Sequence, residues 1–277
     1  MVAAVASYPE LSCDPSKKYE VRIDGGISKD VLNVGDDRVI DFLKCVLGHV
    51  ATVFPYDYVH IGGDECPTDQ WKTNQMCPAR LTELGLDGVH QLQSWLVEEL
   101  GIFLKEEYGK DIIVWDELLA NWNDNNKTKP VIMAWNGMGF STQAANRGFK
   151  SIIVPYQYLY IDFMQGEEGD LFVDEPYHGG WGVNTVDEIY GLNPLSALSG
   201  KEEFALGVQC NMWTETCNDI DEVEYCLLPR MLAVSEIGWL PTDKKDWTSF
   251  YLRLQTHDEI FDHLDYQYAK HFIEPKE

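Results

Sequence analysis

Apolar residues recur along this chain in two rhythms. Short continuous apolar runs at 58–61, 111–115, 130–135, 151–155 and 206–213 are bounded by glycine, proline or acidic residues, and their length suits buried β-strands. Between them the spacing is helical. Val39, Phe42, Leu43, Val46, Leu47 and Val50 share one face of a helix over 37–54, which Pro55 closes. Leu92, Trp95, Leu96, Leu100, Phe103 and Leu104 do the same over 89–108, and further helices are predicted over 221–237 and 247–264. The alanine-rich residues 1–11 read as the tail of a helix or of an active-site loop, 12–36 as turns, and the stretch after residue 65 through Trp71 as a polar loop.

Short strands alternating with helices, each strand running into a loop that carries Trp, Asp, Glu or Asn, form the pattern of parallel βα units. A doubly wound sheet and an eight-stranded barrel both fit. Polar and aromatic residues gathered after every strand favour the barrel, which keeps its chemistry at the C-terminal ends of its strands. The five predicted strands are fewer than eight, and the residues before the first of them have room for one more βα unit at most. The expectation is an α/β chain forming an incomplete (β/α)8 TIM barrel, with its first strands missing from the chain. No linker divides it.

Composition narrows the partners. Among 277 residues, 45% hydrophobic and 12% aromatic content is ample for a packed core. The 46 acidic residues against 21 basic ones give a formal charge of -25, which repels a nucleic-acid backbone or an anionic membrane surface and favours a neutral ligand. No run approaches the roughly 20 apolar residues of a membrane span, and the first residues lack the basic start of a signal peptide. The sequon at Asn126-Lys127-Thr128 is too common a match to imply secretion. Seven cysteines, an odd number with no CxxC pair, argue against a zinc site or a disulfide framework.

The first strand ends in Gly62-Gly63 and then Asp64-Glu65. Taken alone, these adjacent acids could be metal ligands, a catalytic pair, or a helix N-cap with a first-turn acid. Three later strand ends each place a tryptophan, Trp115, Trp135 and Trp213. One tryptophan is ordinarily core, but three at equivalent ends would wall a pocket whose apolar floor suits a sugar ring. Asp64, Glu65, Asp116, Glu117, Tyr160, Asp162 and Glu215 stand beside them, able to bind ring hydroxyls or to act as acid and base. Glycosidases generally set two carboxyls about 5 to 5.5 Å apart for retention or roughly 6.5 to 9.5 Å apart for inversion. Neighbours on a strand point in opposite directions, so Asp64 and Glu65 fit a division of labour better. Glu65 would protonate the leaving oxygen and Asp64 would hold a substrate group that attacks the anomeric carbon.

His60 has no second histidine at ligand spacing, so a structural hydrogen bond is the simpler reading, and Cys66 reads as a free structural thiol. Asp116 and Glu117 either line the pocket or cap a turn. The aromatic loop from residue 156 to 181, through Tyr160, Asp162, Tyr177 and Trp181, is either a pocket wall or a homo-oligomer contact.

The ordered set His60-Ile-Gly-Gly-Asp64-Glu65, Val114-Trp115-Asp116-Glu117, Trp135, Tyr160-Ile-Asp162, Trp213-Thr-Glu215 and Ser235-Glu236-Ile-Gly-Trp239 resembles the catalytic domain of glycoside hydrolase family 20, the β-N-acetylhexosaminidases. The resemblance runs from the first residues to near the C-terminus. It implies a (β/α)8 barrel and retaining, substrate-assisted exo-hydrolysis of terminal β-linked N-acetylglucosamine or N-acetylgalactosamine. Glu65 matches the general acid/base, and Asp64 the residue that steadies the 2-acetamido nitrogen as an oxazolinium ion forms. Tyr160 matches the tyrosine on the acetamido oxygen, and Trp115, Trp135 and Trp213 match the tryptophans around the acetamide and sugar. Asp162 and Glu215 match the pair on distal hydroxyls. For Glu65 to serve as an acid, its pKa should lie above the ordinary value of about 4.3, and both burial and the charge of Asp64 push that way.

The family's arginine at the end of the first barrel strand and its Pro-Gly-His motif after the third are absent. Residues 1–277 are therefore expected to hold about strands 4 to 8 of one catalytic barrel, with no accessory domain. The implied partners are N-acetylhexosamine-terminated glycans or chitooligosaccharides, without cofactor or metal. The family implies a secreted, periplasmic or lysosomal setting. The alternatives are an inactive or sugar-binding-only fragment, and a relative that releases lacto-N-biose.

Overall fold

The computed structural model describes residues 2–166 and 182–273, and two compact units, Met1–Met133 and Ala134–Glu277, make up the chain. Tyr177 and Trp181 of the aromatic loop lie outside the described residues.

In the first unit, α1 (Val2–Ser7) and a 3-10 turn at Pro9–Leu11 precede α2 (Asp37–Val53), whose N-cap Asp36 accepts the Arg38 amide as a helix start requires. Then come β1 (Tyr58–His60), α3 (Asp69–Thr73), α4 (Met76–Leu84), α5 (His90–Tyr108), β2 (Asp111–Trp115) and β3 (Val131–Ala134). The strands are parallel and in register, Val59 opposite Ile112 and Val114 opposite Ile132. All of β3 is buried, as a strand covered on both faces should be, whereas β1 alternates, with only Val59 buried, and β2 buries Ile112, Val114 and Trp115.

β3 crosses into the second unit, where its last residue Ala134 accepts a 3.1 Å hydrogen bond from Val154 just past β4 (Ser151–Ile153). α6 (Met138–Asn146) precedes β4, and α7 (Tyr156–Leu159) and α8 (Val186–Gly191) follow it. β5 (Ala205–Val208) pairs parallel with β4, with an irregularity between Ser151 and Ile152. Helices α9 (Ile220–Leu227), α10 (Arg230–Trp239), α11 (Trp247–Gln255) and α12 (Asp258–His263) end the unit. Among the described residues, five strands lie in one sheet in chain order, as expected for part of a (β/α)8 barrel. None of the described helices is long and apolar enough to cross a membrane.

The structure departs from the sequence expectations at element ends. The helix expected over 221–237 is two, α9 and α10, because Pro229 lacks the N–H that would continue the first. The helix expected over 247–264 is likewise broken, between α11 and α12. The polar region after residue 65 contains α3 and α4, whose buried faces, Trp71 and Cys77, are too short to show a period. The strand expected over 206–213 is the shorter β5, followed by a lone bridge between Tyr160 and Asn211.

One close approach organises the first unit. Val31 and Val34 pack with Trp71, Cys77 and Leu92, and the Trp71 indole donates to the Leu32 carbonyl at 2.9 Å. A β-carbon on Gly35 would lie 2.4 Å from the Met76 carbonyl carbon, so only glycine lets this segment touch the start of α4. Gly35→Ala should therefore destabilise the protein by about 1–3 kcal/mol through overpacking, read as a lower urea midpoint with an unchanged slope.

Candidate active site

The first unit builds its acidic pair on a sharp exit from the sheet. Pairing continues past β1, since Ile61 donates to Ile113 and Trp115 to Gly62, and the chain then turns through Gly62 at φ 79° and Gly63 at φ 107°. Glu65 itself sits at φ 45°, a conformation uncommon for a residue with a side chain. The Gln93 amide on α5 holds the turn by donating to the Gly63 carbonyl at 2.9 Å. Asp64 and Glu65 are both exposed. The N-cap reading fails for them, because the next helix, α3, begins at Asp69 behind Thr68.

The charges interact locally. Desolvation, and then the negative charge of Asp64, hold Glu65 above its ordinary carboxyl value. Desolvation also lowers His60, opposed by Asp64, so the imidazole resists charging. His60 Nδ1 accepts the Gly62 amide at 3.0 Å, the structural bond expected, and its ring meets the edge of Trp115 at 4.8 Å. Cys66 is pushed up to about 11 by burial and by Asp64, which leaves it a protonated thiol. Trp115 and Asp116 are buried at the end of β2, Asp116 and Glu117 lying in the first turn of a 3-10 helix at Asp116–Ala120.

The second unit gathers the aromatic residues. Trp135 and Tyr160 are stacked, centroids 6.0 Å apart with a 16° interplanar angle, and Trp213 meets Tyr160 edge-on at 6.1 Å. Tyr156 packs against both Trp135 and Tyr160. Backbone bonds fix this group: Tyr156 donates to Trp135, Ile161 to Asn211, and Asn211 to Leu159. Trp213 remains 40% exposed. Asp162 is nearly buried and its Oδ1 finds no hydrogen-bond partner. Burial, reinforced by the charge of the exposed Glu215, raises Asp162 to about 6, against the lowering pull of its backbone and of Arg230.

Sequence reasoning missed Arg230. Its fully buried guanidinium donates to the carbonyls of Ile161 (2.6 Å) and Phe163 (2.9 Å), which flank Asp162, and to those of Asn184 and Cys226. The available signal was a lone cation inside an apolar helical run, which must find acceptors if buried. Asn184 was missed too; its amide donates to the Tyr158 and Tyr160 carbonyls and left no mark in the pattern. A cavity of about 500 Å³ lies elsewhere in this unit, between α10 and α11 beside the Glu236–Arg253 ion pair, and none of the candidate residues lines it.

Residues 1–242 match the family described as glycosyl hydrolase family 20, catalytic domain. The chain is 37% identical over 256 residues to a beta-hexosaminidase of Porphyromonas gingivalis, covering 91% of itself and 32% of that protein. It is 30% identical over 239 residues to the beta-hexosaminidase of Vibrio furnissii, covering 85% of itself and 38% of that protein. Its structure resembles that of the GH20 exo β-N-acetylglucosaminidase of Vibrio harveyi crystallised with N-acetylglucosamine, with a TM-score of 0.84 at 27% identity over 96% of this chain and 41% of that one. The chain thus spans about a third to two fifths of the length of these relatives.

Asp162 gives a stability test. A carboxyl raised in the folded state contributes stability that is full below about 3.8 and is lost as pH rises through about 6. Asp162→Asn removes this cost, so thermal melts should show the variant gaining on the parent by roughly 1–3 kcal/mol between pH 4 and pH 8. A gain independent of pH would contradict the burial of a disfavoured charge.

Proposed function

Because the chain belongs to glycosyl hydrolase family 20, we propose that it removes terminal, non-reducing β-linked N-acetylglucosamine or N-acetylgalactosamine from glycans or chitooligosaccharides, by a retaining mechanism in which the substrate's acetamide is the nucleophile. The observation that carries this reading is the pair Asp64-Glu65, two carboxyls side by side of which Glu65 is held above its ordinary value by desolvation and by its neighbour.

Glu65 donates its proton to the glycosidic oxygen as the bond to the leaving group breaks. The acetamido oxygen closes on the anomeric carbon from the opposite face, giving an oxazolinium ion and keeping the enzyme itself unmodified. Asp64 accepts the acetamide N–H and balances the positive charge that develops there. Tyr160 donates its hydroxyl to the acetamido oxygen and so aligns it for attack. Glu65, now ionised, takes a proton from water, which opens the ring from the face the leaving group vacated and restores the β configuration. Trp115, Trp135 and Trp213 offer apolar faces to the sugar and its methyl group, and Asp162 and Glu215 accept hydrogen bonds from distal hydroxyls. The protonation of Asp162 near 6 would weaken that grip in more acidic solution.

A second reading follows from the five described strands of a fold that closes with eight: binding of the sugar without turnover. Hydrolysis of a chromogenic β-N-acetylglucosaminide separates the two. With turnover, Glu65→Gln should lose about 10²- to 10⁴-fold in kcat and Asp64→Asn about 10²- to 10³-fold. The basic limb of the pH–rate profile should report Glu65, and in Asp64→Asn it should move to lower pH, because the neighbouring charge that raises Glu65 is gone. An unimpaired Glu65→Gln enzyme would remove Glu65 from the role of acid, and calorimetric binding of N-acetylglucosamine without any hydrolysis would select the second reading.

A further inference from the structure

All seven cysteines are free thiols, yet two of them are not independent. Cys13 follows the 3-10 turn at Pro9–Leu11, and Cys77 lies in the first turn of α4. One side chain ties their backbones together: the Asn74 amide donates to the Cys13 carbonyl at 2.9 Å, and its Oδ1 accepts the amides of Met76 and Cys77 at 2.7 and 3.3 Å. Their sulfurs reach adjacent residues, Cys13 the Leu32 carbonyl at 3.8 Å and Cys77 the Asn33 Oδ1 at 3.2 Å. The two thiols lie close enough that each shifts the titration of the other. Both pack in the cluster of Val31, Val34, Trp71 and Leu92, joined by Cys66.

We propose that Cys13 and Cys77 form a reversible redox pair, a modification site where a small disulfide such as oxidised glutathione closes a bond between the loop after the first 3-10 turn and the start of α4.

Access and charge divide the labour. Cys13 is half-exposed and Cys77 is buried, so a reagent meets Cys13 first. Contact with Cys77, and then burial, hold the Cys13 thiol far above its ordinary value. The same contact, with the amides of Gly35 and Val34 and the charge of Arg80, holds Cys77 low against the opposing effect of burial. Access therefore makes Cys13 the first sulfur a reagent meets, and the depressed Cys77 thiol the better attacking group for the second step.

Cys13 loses its proton to solvent and attacks one sulfur of oxidised glutathione, forming a mixed disulfide and releasing one glutathione thiolate that is then protonated. The Cys77 sulfur, its proton likewise lost, attacks the Cys13 sulfur of the mixed disulfide and releases the second glutathione. Two protein thiols lose two electrons and two protons, and oxidised glutathione gains them as two thiols. The first step is slow and the second fast, so the mixed disulfide does not accumulate while Cys77 is present. The closed bond spans β1 and the Asp64-Glu65 turn, and the pair owes nothing to the sugar chemistry proposed above.

The test uses the full chain equilibrated with oxidised glutathione, alkylated, and mapped by peptide mass spectrometry without reduction. A Cys13–Cys77 linked peptide that dithiothreitol dissolves is expected, with about a tenfold loss of alkylatable Cys13 and Cys77. Cys77→Ser should instead stop at Cys13 carrying glutathione. Oxidation should raise the melting temperature of the parent by about 5 to 15 °C and leave that of Cys13→Ser unmoved. Full alkylation of both thiols after equilibration, a Cys13–Cys66 link in their place, or an equal thermal shift in Cys13→Ser would each overturn the proposal.

Discussion

The first unit depends on how the backbone leaves β1. The ladder with β2 persists to Gly62, and within four residues the chain adopts three positive φ angles, at Gly62, Gly63 and Glu65. Space does not demand the glycines, since a β-carbon on Gly62 would meet nothing nearer than Asp64 Oδ1 at 3.8 Å. Conformation does: a side chain in the left-handed region costs roughly 1–2 kcal/mol, and two in succession would unmake the turn. Glu65 bears such a cost itself, which is where strain collects in sites that must hold an unusual geometry. The Gln93 bond and the packing of His60 on Trp115 supply the surrounding structure that keeps it.

The second unit solves a different problem, placing a carboxyl and three aromatic rings at the ends of short strands. Hydrogen bonding across the sheet is sparse there, with β5 only four residues long and a single bridge at Tyr160. Arg230 compensates from beneath. A guanidinium with several fixed donors can satisfy carbonyls that no strand reaches, and binding both Ile161 and Phe163 locks the peptide units on either side of Asp162. The same cation offsets part of the cost of burying Asp162 without cancelling it. Lysine, a point charge with three donors, could not span these carbonyls in the same way.

Much of this was legible in the sequence because it rests on period and order. The strands near 58, 111, 131 and 151, the helices α2 and α5, and the adjacency of Asp64 and Glu65 to the first strand follow from short-range pattern alone. Of the three strand-end tryptophans, Trp135 stacks on Tyr160, Trp213 meets Tyr160 edge-on, and Trp115 is buried against His60. What stayed hidden is long-range. Gln93 to Gly63, Arg230 to Ile161 and Asn74 to Cys13 join residues far apart in the chain, and no local rhythm announces such partners. The helix break at Pro229 shows the converse failure, where an apolar period continues across a backbone that cannot. The cysteine count, odd and without CxxC, pointed away from a disulfide framework, and the seven thiols are free; what counting cannot see is that Cys13 and Cys77 pack in one cluster.

The titrating groups pull stability in two directions. Asp36 beside Arg38 and Glu236 beside Arg253 are held below their ordinary values, so they contribute stability that is present above those values and lost as acid protonates them. Glu65 and Asp162 are held above theirs, so their contribution is full in acid and disappears as pH rises, for Asp162 through about 6. A formal charge of -25 acts in the same sense as the second group, since every further ionisation adds to self-repulsion. The folded state is therefore favoured on the acid side of neutrality, above the range in which the ion pairs break and below that in which the buried carboxyl must ionise. The same upward shift of Glu65, caused by desolvation and by the charge of Asp64, suits a group that must donate a proton, so the arrangement that costs stability as pH rises also favours an acid at this position.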